Sequence, residues 1–255
     1  LSKDQIGFML PFSVAVSAFG FFAILMLAWR GTGFGGTFSW RKPLVGSAFA
    51  FVCVFGIILA LSPMKCSETL GHRRRMETTV SSLQASTFPG TTRGHHYDCG
   101  RFSAHVIRIK GHVFCAACTG LFLGAVGALF GTALYFFTGW ESPQIGPLAV
   151  LIGVATMALG FLQLKLAGLA RSMLNSAFVL GAFLILFGID ESAASLLVDL
   201  FSLILISFWL FTRILLSQWD HWRICRACLI PCNVRGIRRE DSASSSHSVQ
   251  GADNY

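Results

Sequence analysis

Apolar residues run along this chain in long blocks broken by short polar stretches. Crossing a bilayer as a helix takes about 20 mostly apolar residues, and six blocks meet or approach that length: Ile6–Trp29, Leu44–Ser62, Phe114–Gly139, Pro147–Leu164, Leu174–Ile189 and Leu196–Leu216. The fifth is short at 16 residues and stops at Asp190–Glu191. It therefore reads as a re-entrant segment or as one arm of a tight hairpin with the sixth, and five spans are the alternative to six. The first block is longer than the apolar region of a signal peptide and predicts a retained span. The expected fold class is all-α, a polytopic transmembrane helical bundle of about six spans with a Cys/His-rich cytoplasmic loop.

Four regions follow from the blocks. Residues 1–62 hold the first two spans. Residues 63–113 form a loop whose composition turns to Cys and His from residue 95. Residues 114–216 are a four-span membrane region, and residues 217–255 a tail that is expected to be disordered from about residue 240, where little can be buried.

Composition agrees with this class. Hydrophobic residues make up 54% of the chain and charged ones 13%, against about 25% charged in a soluble domain. The net charge of +8 lies in loops beside the blocks, where the positive-inside rule and anionic lipid headgroups account for it. With no nucleic-acid motif beside the charge, nucleic acid is not an expected partner; the bilayer and its headgroups are. Counting flanks gives an orientation: 17 of the 20 Lys and Arg residues fall on the side that holds both termini and the 63–113 loop. That side is expected to be cytoplasmic, in a multi-pass protein of the cell membrane.

The chemistry concentrates in His95–Gly124, which has four of the seven histidines and three of the eight cysteines. Cys115-x2-Cys118 follows Cys99 by sixteen positions. A C-x2-C pair can put two thiolates on one tetrahedral metal, and a short loop without a core gains folding energy from a metal staple. A cytoplasmic site makes structural disulfides a poor explanation. Zinc is the expected metal and an iron–sulfur centre the less favoured one. The fourth ligand stays open among His95, His96, His105 and His112. Cys225-x2-Cys228 could instead join Cys115 and Cys118 in an all-thiolate site, although cysteines just beyond a span are also acylation candidates. Cys53, inside a span, reads as a small buried hydrophobe.

Two further features belong to the bundle. Gly120, Gly124, Gly127 and Gly131 lie on one stripe that admits a close neighbouring helix, by default from this chain and otherwise from a second copy in a homo-oligomer. Gln163, Arg171 and Asn175 are candidates for a polar site at the cytoplasmic mouth. Most ionisable residues near the spans sit at block ends, where snorkelling accounts for them, whereas Asp199 lies one turn inside the last span.

The run Cys99…Arg101-Phe102-Ser103…Gly111…Phe114-Cys115-Ala116-Ala117-Cys118-Thr119-Gly120-Leu121…Gly124, with Gln163…Arg171-Ser172…Asn175…Gly181, resembles an uncharacterised prokaryotic multi-pass membrane-protein family, domain of unknown function two-zero-eight-five. The likeness spans roughly Cys99–Gly188. Gly100, Leu159-Gly160 and Ser176 depart from that family's pattern. The resemblance implies a membrane bundle that keeps the cysteine triad and implies no established activity. From the residues, three functional readings stand: a metal-stabilised structural or binding module, a thiol oxidoreductase using Cys115 and Cys118, and a small-solute or ion transporter.

Overall fold

Each apolar block forms a helix in the computed structural model, which describes residues 3–30, 39–61, 104–109, 112–139 and 145–226. In chain order the elements are α1 (Lys3–Arg30), α2 (Arg41–Leu61), β1 (Val106–Ile109), β2 (His112–Cys115), α3 (Ala116–Thr132), α4 (Gly146–Phe161), α5 (Gly168–Ala193) and α6 (Leu196–Arg226). A π turn, Ala133–Phe137, extends α3, and a 3-10 turn, Leu162–Lys165, extends α4. Among the described residues, five helices are long and apolar enough to cross a membrane. Large apolar side chains project outward, among them Phe19 at 72% and Phe51 at 73% exposure. A water-soluble monomer does not expose so extended an apolar surface. The chain is thus a multi-pass helical bundle.

α4 is the short helix, with 16 residues and a rise of about 24 Å. The 3-10 turn adds roughly 8 Å, which brings the pair to the thickness of a hydrocarbon core, about 30 Å. The fifth block, by contrast, is not short: α5 runs 26 residues. Arg171, Ser172, Asn175, Asp190 and Glu191 interrupt the apolar run in sequence, but all except the half-buried Glu191 are buried on the helix, so they extend it instead of ending it. α5 and α6 do form a tight hairpin. Ala194 takes the left-handed conformation (φ 46°) and donates its N–H to the Asp190 carbonyl, closing the C-terminus of α5. α6 continues ten residues beyond Leu216, so the structure moves the expected start of the tail.

α5 is the hub, packed against α3, α4 and α6. Its contacts with α3 and α4 are built on small residues. A Cβ on Gly153 would lie 2.6 Å from the Gly181 carbonyl oxygen, and one on Gly124 would lie 2.7 Å from that of Ser176. This closeness lets the Ser176 hydroxyl donate to the Gly120 carbonyl across the α3–α5 contact at 2.8 Å. Gly127 and Gly131 meet Leu180 and Phe183 of the same helix, so the whole glycine stripe faces α5 of this chain. α1 and α6 form the other seam. There Trp209 is fully buried, stacks on Phe21 at 4.4 Å and donates its indole N–H to the Ser17 carbonyl at 3.3 Å. Cys53 lies in the apolar core with Val45 and Phe49.

The β-hairpin caps one end of the bundle. β1 and β2 pair antiparallel, with Val106 opposite Cys115 and Ile109 opposite His112. The alternation in 104–110 anticipated β1 but not its partner, because β2 overlaps the start of an apolar block.

Candidate functional site

Among the described residues, two buried polar clusters sit at opposite ends of the bundle. The first is at the hairpin end. β2 delivers Cys115 directly to the N-terminus of α3, where it is the N-cap residue with extended backbone (φ −70°, ψ 118°) and no side-chain capping bond. Cys118 follows in the first helical turn. Both are half-buried thiols, and the Thr119 hydroxyl donates to the Cys115 carbonyl at 2.9 Å.

Arg213 of α6 lies beneath this junction. Its guanidinium is buried, sits 5.5 Å over the Phe178 ring, and donates to Gln163 Oε1 at 3.1 Å and to Asn175 Oδ1. Asn175 in turn donates to the Arg171 carbonyl at 2.8 Å. Arg171 and Asn175 are one turn apart on α5 and so share a face. Arg171 donates to Asp220 Oδ2 at 3.2 Å. His105 Nε2 lies 3.1 Å from the same oxygen, and exposed Arg223 holds Oδ1 at 3.0 Å.

The charge balance is uneven. Among the described residues, two buried guanidinium groups face one buried carboxylate, Asp220, and that carboxylate belongs to Arg171. Arg213 is held by the neutral amide oxygens of Gln163 and Asn175, and Asn175 packs against Gly120, two residues after Cys118. Burying a cation without an anion is expensive, and among the described residues no carboxylate is paired with it.

Gln163, Arg171 and Asn175 are thus brought into one cluster. Arg213, expected to snorkel, is buried, and so are Arg171 and Asp190. His105 is turned to Asp220. Asp220 went unremarked in the sequence; its signal was the seven-residue interval from Arg213, which places both on one face of a helix. Cys99, His96, Cys228 and the side chains of His112 and Cys225 lie outside the described residues. Within the described residues, no group of three or more His, Cys, Asp or Glu side chains could hold a metal ion.

The second cluster lies at the far end. Arg41, the first residue of α2, sits with one terminal nitrogen 2.7 Å from Asp190 Oδ1 and 2.6 Å from Asp199 Oδ2. The π turn carries Tyr135 inward, where its hydroxyl lies 2.6 Å from Asp190 Oδ2 and 2.9 Å from Glu191 Oε1. The Lys42 ammonium lies 4.6 Å above the same ring. Asp199 had been singled out from sequence; Arg41 and Asp190 had counted only as flanks.

No family model matches the chain, and no curated protein or solved structure shows significant similarity to it.

Proposed function

We propose that this multi-pass membrane protein carries a zinc site at its hairpin end, which acts as a structural or binding module pinning the cysteine-rich loop to the bundle. The observation that carries the reading is the Cys115/Cys118 pair at a strand-to-helix junction, above a buried arginine for which the described residues supply no carboxylate. Cys115 and Cys118 would supply two ligands. Cys99 and His96 are the preferred completing pair, because His96-x2-Cys99 repeats the spacing of Cys115-x2-Cys118. The antiparallel register also brings the start of β1, seven residues after Cys99, to the Cys115 end of the hairpin. Three thiolates and one imidazole on Zn²⁺ sum to one negative charge, which balances Arg213. Gln163 and Asn175 fix that guanidinium in place. His112, Cys225 and Cys228 are the alternative ligands.

The Lys/Arg distribution supports a cytoplasmic hairpin end and cytoplasmic termini, which reporter fusions at each loop would test. Metal content by plasma mass spectrometry tests the site itself. About one zinc per chain, lost in a Cys115→Ser/Cys118→Ser double variant together with thermal stability, is the expected result. Protein purified without chelator that contains no metal overturns it.

One observation favours thiol redox chemistry as the second reading. A cysteine at a helix N-cap, with another in the first turn, sits where the helix dipole stabilises a thiolate. Reversible Cys115–Cys118 disulfide formation in metal-free wild-type membranes would select it.

A further inference from the structure

The far-end cluster has more carboxylate oxygens than donors to serve them. Asp190 and Asp199 are both buried, Asp199 completely. Arg41 donates one hydrogen bond, to Asp199 Oδ2. It approaches Asp190 Oδ1 closely but out of line with an N–H, so that oxygen accepts no hydrogen bond. Tyr135 has a single hydroxyl hydrogen, for which Asp190 Oδ2 and Glu191 Oε1 compete. Asp190 Oδ1 and Asp199 Oδ1 are left, both shielded from solvent and both without a donor among the described residues. The two carboxyl groups are close neighbours, since the same Arg41 nitrogen lies 2.7 Å from Asp190 Oδ1 and 2.6 Å from Asp199 Oδ2.

Two ionised carboxylates cannot share one guanidinium in a site of low dielectric without strong repulsion. A single proton between them resolves both problems. It removes one negative charge, leaving Arg41 matched by one carboxylate, and it makes one oxygen a donor to the other. The remaining charged or titratable groups facing the pair are Lys42 on α2, Tyr135 on the π turn and Glu191 on α5. Lys42 is directed to the Tyr135 ring, and Glu191 is only half-buried.

We infer that Asp190 and Asp199 hold one proton between them, which makes the far end of the bundle a buried proton-binding site joining α2 to the α5–α6 hairpin. The inference is independent of the metal reading, which concerns the opposite end. Loss of the proton leaves two negative charges on Arg41 and loosens α2 from that hairpin.

Infrared spectroscopy of the full-length protein in liposomes, labelled with ¹³C at the aspartate carboxyl, reads the proton directly. At neutral pH the wild type should show a carboxylic-acid carbonyl band that shifts with the label and with deuterium exchange. Asp190→Asn and Asp199→Asn should each abolish it, while each keeps the fold, because an amide N–H can replace the missing donor. The labelled wild type is decisive even if a variant does not assemble: Asp220, the other buried aspartate among the described residues, is surrounded by His105, Arg171 and Arg223. Absence of the band in the wild type, or its survival in both variants, overturns the inference. Loss of the band when sodium replaces potassium would give the site to a metal cation and overturn it equally.

Discussion

Replacing Gly120 by alanine tests whether the α3–α5 contact sets the stability of the bundle. A Cβ at residue 120 would collide with the Ser172 carbonyl oxygen and stand 2.7 Å from Asn175 Cβ. The first of these is backbone in the second turn of α5 and cannot rotate aside, so the helices must separate. Overpacking of this kind costs about 1–3 kcal/mol. Separation also stretches the Ser176–Gly120 hydrogen bond, and interhelical bonds in membranes average about 0.6 kcal/mol. The expected loss is therefore roughly 2–4 kcal/mol. Gly56 supplies the control, because a Cβ there meets nothing within 4 Å, and alanine should gain up to about 1 kcal/mol from helix propensity. Equilibrium unfolding in mixed detergent micelles, followed by far-ultraviolet circular dichroism, measures both variants. Equal stability of Gly120→Ala and Gly56→Ala would refute the packing argument.

Other perturbations have distinct signatures. Asp220→Asn removes the carboxylate shared by Arg171 and His105 and should cost about 3–5 kcal/mol in the same unfolding assay; a loss below about 1 kcal/mol would mean that the pair is effectively solvated. Trp209→Phe should keep an aromatic ring against Phe21 but lose the bond to Ser17 and leave a small cavity, costing roughly 1–3 kcal/mol, whereas Trp209→Ala should cost about 3–5 kcal/mol. Similar losses for the two variants would show that packing contributes little to the α1–α6 seam.

The number of helices was legible because hydrocarbon thickness imposes a block length that needs no knowledge of neighbours. Their ends were less legible. Hydropathy treats Arg171, Asn175 and Asp190 as interruptions, and only the partners of these residues reveal that they are buried within α5. The Gln163, Arg171 and Asn175 grouping could be proposed because the last two are one turn apart and the first lies just before them. Arg41 could not be assigned to Asp199, 158 residues later in the chain, since no local pattern links them. The π turn that aims Tyr135 inward left no mark in the apolar run around it. The cysteine motif drew attention to the hairpin end, while the buried Arg213 beneath it emerged only from the packing of α6.

The seam between α1 and α6 has a consequence for how the protein is made. Ser13 and Ser17 are buried, and Ser17 meets Thr212 and Trp209, so α1 packs against a helix made long after it. Trp209 is synthesised 192 residues after Ser17, a delay of roughly 10–40 s at ordinary elongation rates. Throughout that interval Ser17 lacks the α6 side chains that it meets in the finished bundle. Truncation before residue 209 removes both of these contacts, however well α2 to α5 have assembled.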